Sequence, residues 1–253
     1  MGWTDRQRGM LEAMGIRVWA PPEAPLPVAR PPQAAAPVAP VAPQVPDTVS
    51  VMAPVAVSAR APGEAAGLDW PALREAVVDC RACGLCQGRR QTVFGVGDPA
   101  ARWMIVGEAP GEQEDLAGEP FVGPSGQLLD QMLRALRLTR SAGTPAEQVF
   151  IANTVKCRPP RNRNPEPGEI AQCAPFLQRQ IALVRPRVLL ALGAVAAKAL
   201  LGVDEPLGRL RGRVHDRAGT PVVVTYHPAY LLRQPSEKAK AWDDLCLAAD
   251  TVG

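Results

Sequence analysis

The stretch WMIVGEAPGEQED, residues 103–115, decides the fold because it carries a buried strand directly into a polar turn. Trp103–Val106 is a short apolar run rich in β-forming residues, and Gly107 ends it. Two glycines and a proline in the turn allow backbone amides to approach a ligand closely. The carboxylates that follow are Glu108, Glu112, Glu114 and Asp115. The stretch therefore predicts a strand that ends at a functional turn.

Three further runs repeat this pattern and alternate with helical segments. The predicted strands are Trp103–Val106, Val149–Asn153, Val188–Leu192 and Val222–Tyr226, and the predicted helices are Ser125–Leu138, Pro167–Val184, Gly193–Leu201 and Lys238–Thr251. Strand–helix alternation with crossovers of this length predicts an α/β domain: a four-stranded parallel sheet with helices on both faces, in three αβα layers. Ligands of such sheets bind beyond the carboxyl ends of the strands.

Composition divides the chain of 253 residues into three parts. Residues 1–20 form a short amphipathic peptide, and residues 21–68 are rich in proline and alanine, which predicts a disordered linker. Residues 69–253 carry the globular pattern and all of the polar motifs. No apolar run is long enough for a membrane span, and no secretion signal is recognisable, so we expect a cytoplasmic protein. The net charge of +3 is too small to identify a nucleic-acid partner.

Polar groups follow three of the four predicted strands. Pro120–Gly126 lies a few residues beyond the first turn, Asn153 ends the second strand and is followed by Cys157–Pro160, and His227–Arg233 follows the fourth. Because parallel strands present their carboxyl ends at one edge, these groups are expected to converge there.

Together these motifs resemble the family 4 uracil-DNA glycosylases, over about residues 75–250. The resemblance implies an enzyme that flips uracil out of DNA and hydrolyses its N-glycosidic bond, which starts base excision repair and leaves an abasic site. It also implies that residues 69–253 form the catalytic domain, acting as a monomer on nucleoid DNA in bacterial cytoplasm.

The resemblance assigns roles to the residues of the pocket. Asn153 matches the residue that reads uracil, Phe121 matches the ring that stacks on it, and His227 matches the donor to uracil O2. Taken singly, Phe121 could instead be a core side chain.

Two further positions concern the attacking water. Ala109 stands in the substrate pocket, where related family 1 enzymes carry an aspartate that orients water, and it cannot do this. Glu108 and Glu114 are then the nearest candidates for this catalytic role.

The segment after His227 is expected to contact DNA. In the family this loop enters the duplex, which would make Leu231 and Leu232 an apolar wedge. Arg233 and Arg158 would contact the phosphate backbone. The alternative is that the two leucines begin a helix and pack inward.

Cysteines suggest a metal centre, because a cytosolic chain of this size favours metal or catalytic thiols over disulfides. Spacing alone leaves zinc and an iron–sulfur cluster open, since both take four sulfur ligands. The resemblance implies a 4Fe–4S cluster held by Cys80, Cys83, Cys157 and Cys173, with zinc as the alternative. Cys86 forms a second C-x-x-C pair with Cys83 and departs from the four-ligand pattern.

Residues 8–19 resemble the N-terminal peptide of the psi subunit of bacterial DNA polymerase III, which docks on the clamp loader. The resemblance implies the clamp loader as a partner, and the alternative is a helix that docks on its own domain. For the domain itself, the alternatives are a protein that binds or covalently traps uracil-DNA with little turnover, and an iron–sulfur nucleic-acid-binding module. Relatives that trap the sugar carry a Lys/Arg-rich insertion ending in histidine after the second strand. The corresponding stretch here, residues 157–164, contains no histidine, which argues against trapping.

Overall fold

The computed structural model describes residues 62–144 and 146–252. The expected peptide 1–20 and most of the expected linker 21–68 lie outside these residues. A short 3-10 helix, Pro62–Gly67, overlaps the end of that linker, and its Ala65 is buried in the core. No helix among the described residues is long and apolar enough to cross a membrane.

The described residues form six strands and nine α-helices. The strands are β1 (Val96–Gly97), β2 (Trp103–Gly107), β3 (Val149–Asn153), β4 (Val188–Leu192), β5 (Val214–Arg217) and β6 (Thr220–Thr225). The helices are α1 (Trp70–Asp79), α2 (Leu85–Gly88), α3 (Glu112–Ala117), α4 (Pro124–Ala135), α5 (Pro167–Val184), α6 (Gly193–Leu201), α7 (Leu207–Leu210), α8 (Pro228–Arg233) and α9 (Lys238–Val252).

The strands form one sheet in the order β1-β3-β2-β4-β6-β5. The central four, β3, β2, β4 and β6, are parallel, as predicted. The prediction of a four-stranded sheet was wrong, because β1 and β5 add an antiparallel strand at each edge. Neither edge strand has a run of apolar residues, and β5 is nowhere fully buried.

The apolar runs form strands because helices cover both faces of the sheet. Every residue of β2, β3 and β4 is buried, which is typical of parallel strands inside an α/β domain. Met104 and Val106 pack on one side with α1, α5 and α6, whereas Trp103 and Ile105 pack on the other with α4 and α9. The three-layer arrangement follows from this alternation.

The sheet brings the polar motifs to one edge. In the parallel register, Gly107 of β2 lies beside Asn153 of β3. The amide and the hydroxyl of Thr154 both donate to the Gly107 carbonyl, at 2.9 and 3.0 Å. This fixes the two strand ends to each other just before their loops diverge.

Candidate functional site: a cleft at the carboxyl ends of the strands

A cleft of about 490 Å³ opens beyond the strand ends. This volume lies within the range of small-molecule sites. The predicted site residues that line it are Glu108, Ala109, Glu114, Phe121, Asn153, His227 and Arg233. Tyr230, which was not singled out for the site, lines it as well.

Asn153 and Phe121 meet at Gly107. A β-carbon at position 107 would lie 2.5 Å from Oδ1 of Asn153 and 2.6 Å from Cζ of Phe121, so only glycine fits between them. Asn153 is 2 % exposed, and its Oδ1 has no hydrogen-bond partner among the described residues. Buried polar atoms are nearly always paired. An unpaired amide oxygen beside an aromatic ring is therefore an acceptor available to a ligand that donates a hydrogen bond.

Phe121 is held in a backbone conformation that side chains rarely adopt. Its φ is 56°, in the left-handed region, which costs of the order of 1 kcal/mol. Helix α4 passes close behind it, since a β-carbon at Gly126 would overlap the Phe121 carbonyl oxygen. A strained residue in a cleft points to a functional constraint on where its ring lies.

Glu114 ties the Phe121 loop to the first turn. Its Oε1 accepts hydrogen bonds from the amides of Val122 (3.0 Å) and Gly123 (3.1 Å), and its Oε2 accepts one from Gly111 (3.1 Å). Both oxygens are thus engaged by backbone amides, which favours a positioning role for Glu114. Glu108 differs, since it lines the cleft half-buried and burial raises its pKa.

His227 stands between β6 and α8 with its ring beside that of Phe121, at a centroid distance of 5.5 Å and 29° between the planes. The amide of Ala229 donates to Nδ1 of His227 at 3.2 Å. Burial, aided by the charge of Arg233 and opposed by Glu114, lowers the pKa of His227 to about 4. The ring is therefore neutral at pH 7 with its proton on Nε2, so it is a hydrogen-bond donor without a charge.

The residues predicted to contact DNA differ in exposure and in their position relative to the cleft. Leu231 is only 1 % exposed in helix α8, which packs on α4, so it packs inward in this structure, as the alternative interpretation of the two leucines expects. Leu232 is 45 % exposed, and Arg233 lines the cleft. Arg158 lies outside the cleft, where its Nε donates to Asn162 at 2.8 Å.

A second cavity gathers the cysteines. Cys80, Cys83, Cys157 and Cys173 all line it, and Cys86 does so too. Burial raises the pKa of the Cys83 and Cys157 thiols and raises that of Cys173 to about 12. Buried thiols of this kind become thiolates when a cation binds them.

One of the cysteines in this cavity accepts a hydrogen bond from an arginine. Nη1 of Arg89 lies 3.0 Å from Sγ of Cys157 and donates to it, and its Nη2 donates to the carbonyl of Val78. Four thiols in one cavity, one of them accepting a hydrogen bond from Arg89, are suited to a metal centre with sulfur ligands.

Lys156 connects the two cavities. It is 1 % exposed, and its Nζ donates to the Asn153 carbonyl and to Oε1 of Gln180, both at 2.7 Å. Gln180 in turn donates to the carbonyl of Phe94 at 2.9 Å. Burial lowers the pKa of Lys156 to about 8. This network could not be predicted from the sequence, because a lysine beside arginines and prolines resembles a surface residue.

Comparisons with known proteins agree with this geometry. The family model described as "Uracil DNA glycosylase superfamily" matches residues 94–246. The chain is 42% identical over 188 residues to the "Type-4 uracil-DNA glycosylase" of Pyrobaculum aerophilum, covering 71% of this chain and 93% of that protein. It is 43% identical over 168 residues to the protein of the same name from Thermotoga maritima, covering 66% and 84%. A "Type-5 uracil-DNA glycosylase" of Pyrobaculum aerophilum is 36% identical over 149 residues, covering 53% and 64%.

Proposed function

This chain belongs to the uracil-DNA glycosylase superfamily and is a uracil-DNA glycosylase of base excision repair, and we propose how its own residues carry out the excision. The observation that carries the proposal is the unpaired, buried Oδ1 of Asn153 beside the Phe121 ring. Uracil presents a donor at N3–H next to an acceptor at O4, and the Asn153 amide offers the complementary acceptor and donor. Cytosine presents the reverse pattern and would leave buried groups unpaired.

Phe121 provides the face on which the flipped base stacks. Stacking of a base on an aromatic ring contributes about 1–3 kcal/mol, and flipping costs a few kcal/mol. The ring offsets part of that cost only if it is already in place. Glu114 and Gly126 hold it there through the amide hydrogen bonds and the close approach of helix α4.

His227 stabilises the leaving group. When the C1′–N1 bond breaks, the electron pair stays on uracil, and negative charge develops at O2. A neutral imidazole with its proton on Nε2 can donate to that oxygen, and Ala229 fixes this tautomer. Preorganised donors to developing charge are commonly the largest single contribution to catalysis.

Water completes the hydrolysis by attacking C1′ of the sugar cation. Its oxygen bonds to C1′, one proton passes to solvent or to the uracil anion, and the products are uracil and an abasic site. We assign the orientation of this water to Glu108, which lines the cleft beside Ala109. Glu114 is reassigned to positioning, because amides occupy both of its oxygens.

We assign the cysteine cavity to a 4Fe–4S cluster held by Cys80, Cys83, Cys157 and Cys173. Cys80 is preferred to Cys86 as the fourth ligand because Gly88-Arg89 and Phe94-Gly95 then fall where the motif of the family 4 enzymes expects them. Through these four thiols, a bound cluster would link the segment before the domain's first strands to the loop after β3 and to helix α5. Zinc in place of iron on elemental analysis of the purified protein would overturn this assignment.

Contacts to DNA at the mouth of the cleft and beyond it are assigned to Leu232, Arg233 and Arg158. Leu232 is the exposed leucine of α8, and Arg233 lies at the mouth of the cleft. Arg158 lines a neighbouring hollow with Arg161. Arginine contacts to phosphate position DNA without reading sequence, so binding should weaken as salt rises.

The test uses a uracil-containing oligonucleotide, treated with alkali after incubation. Strand breaks at uracil are expected with the wild-type protein, and Asn153→Ala and His227→Ala should each slow them about 100-fold or more while DNA binding persists. His215→Ala is the matched control, because His215 lies on edge strand β5 outside the cleft. Full cleavage by both cleft variants would overturn the site assignment. A complex resistant to denaturant would favour covalent trapping, and intact DNA would favour a binding module.

The peptide at residues 8–19 is proposed to dock on the clamp loader, with the following linker acting as a tether that raises the local concentration of the enzyme. The support for this is the resemblance of the peptide alone. Capture of the clamp loader should depend on Trp19, and capture that is indifferent to Trp19→Ala would overturn the proposal.

A further inference from the structure

The only two tyrosines of the chain are stacked on each other at the edge of the cleft. The rings of Tyr226 and Tyr230 lie 5.0 Å apart at 28°. The guanidinium of Arg211 lies over the Tyr226 ring, 4.2 Å from its centre. The result is a three-layer column of Arg211, Tyr226 and Tyr230, which we call the tyrosine column.

The base of the tyrosine column is anchored in the protein. Nε of Arg211 donates to Oδ2 of Asp244 at 2.7 Å, and its Nη2 donates to the carbonyl of Lys240. Asp244 is 1 % exposed and also accepts from the amide of Gly212 at 3.2 Å. Because Arg211 is fixed from below by helix α9, the tyrosine rings are ordered before any ligand arrives.

The top of the tyrosine column is open. Tyr230 is 37 % exposed and lines the cleft together with Arg233. Its neighbour Leu231 is buried, so α8 presents Tyr230, not Leu231, toward the cleft. An exposed ring on a preformed column, with an arginine three residues away, is suited to a nucleotide: the ring meets a base and the guanidinium meets a phosphate.

We propose that Tyr230 stacks on the base adjacent to the flipped uracil in the same strand. Flipping leaves that neighbour with one bare face, and a rigid ring at the edge of the cleft replaces the lost stacking partner. The inference rests on the proposed function, since it requires that uracil enter the cleft. It assigns Tyr230 a role in substrate binding that extends recognition by one nucleotide.

The test is a double-mutant cycle, in which the Tyr230 ring and the flanking base are removed singly and together and DNA affinity is measured. Binding is measured to single-stranded oligonucleotides that carry 2′-fluoro-2′-deoxyuridine, which resists cleavage, with the flanking nucleotide on one side or the other intact or replaced by an abasic analogue. Removing one flanking base should weaken wild-type binding about tenfold. Tyr230→Ala should weaken binding to the intact strand by a similar factor, and its affinity should not fall further when the flanking base is removed. Tyr230→Phe should behave as wild type.

Two further measurements keep the proposal testable if Tyr230→Ala folds poorly. Trp242→Ala removes an exposed aromatic outside the cleft and should leave binding unchanged. In wild-type protein labelled with fluorotyrosine, one of two ¹⁹F signals should shift with the intact strand but not with the strand lacking the flanking base.

The following outcomes overturn the proposal. If the losses of DNA affinity from Tyr230→Ala and from the abasic flank multiply when the two changes are combined, the ring and the base do not touch. An effect seen only in duplex DNA, and abolished when the base opposite uracil is removed, would assign the ring to the opposite strand. Alkali-revealed cleavage by the wild-type protein is scored separately, so a failure of the glycosylase assignment is distinguishable from a failure of this one.

Discussion

The backbone amide of Ala229 donates a hydrogen bond to Nδ1 of His227 across 3.2 Å, which leaves the proton of the neutral ring on Nε2. The same burial that favours this neutral state also excludes the imidazolium ion, since the pKa of His227 is lowered to about 4. The proposed donor to the leaving uracil is therefore present without titration across the neutral pH range.

The first prediction concerns pH. The folded pKa of His227 is about 4, below its ordinary value of 6.5, so the unfolded chain binds the extra proton first as pH falls. The contribution of His227 to stability is thus complete above about pH 6.5 and is lost as pH falls toward 4. By NMR, the ring signals that disappear in His227→Ala should titrate near pH 4. Titration near 6.5 would contradict the proposed neutral donor.

The second prediction concerns Gly107→Ala. A β-carbon there would lie 2.5 Å from Oδ1 of Asn153 and 2.6 Å from the Phe121 ring, so both groups must move. We expect single-turnover excision to slow about 100-fold, since a displacement near 1 Å in a catalytic arrangement has an effect of that order. DNA binding should change little.

The matched control is Gly208→Ala in helix α7, where a β-carbon would meet nothing within 4 Å. This variant should excise uracil at the wild-type rate. Equal rates for Gly107→Ala and wild type would show that the contact between the ring and the amide does not matter for excision.

The central sheet could be predicted from the sequence because its strands are buried on both faces. Strands β3 and β4 have the predicted bounds, Val149–Asn153 and Val188–Leu192, since a fully buried parallel strand is a continuous apolar run. The edge strands could not be predicted in the same way. β1 has only two residues, and β5 reads Val-His-Asp-Arg. Neither has a hydrophobic pattern typical of a strand, so each is recognisable only from its hydrogen bonding to the neighbouring strand.

The cleft was predictable to the extent that strand ends determine it. Asn153 and His227 converge because they follow parallel strands, and the motif order placed Phe121 with them. The orientation of α8 was not predictable, because only its packing on α4 decides that Leu231 is buried while Tyr230 and Leu232 are exposed. Lys156 was missed for a related reason, since its partner Gln180 is 24 residues away on α5.

The third prediction separates the cysteines. Cys80→Ser should abolish the visible absorbance and iron content of the purified protein, because it removes one of the four proposed sulfur ligands in the cavity. Cys86→Ser is the matched control and should retain both, since Cys86 lines the same cavity but is not one of the four proposed ligands. The opposite pattern, with iron lost from Cys86→Ser and kept by Cys80→Ser, would shift the ligand set by three residues.

The fourth prediction concerns Lys156→Met, which keeps the length and apolar stem of the side chain but removes its donors. Oε1 of Gln180 and the carbonyl of Asn153 would then be buried without their present partner, and each such loss costs about 1–3 kcal/mol. Relief of the buried charge offsets part of this, so we expect the free energy of unfolding to fall by about 2 kcal/mol in urea denaturation. Lys198→Met is the control, because Lys198 forms an exposed ion pair with Asp204 whose loss should cost about 0–1 kcal/mol. Equal stability of the two variants would mean that the Lys156 network does not hold the Asn153 strand end in place.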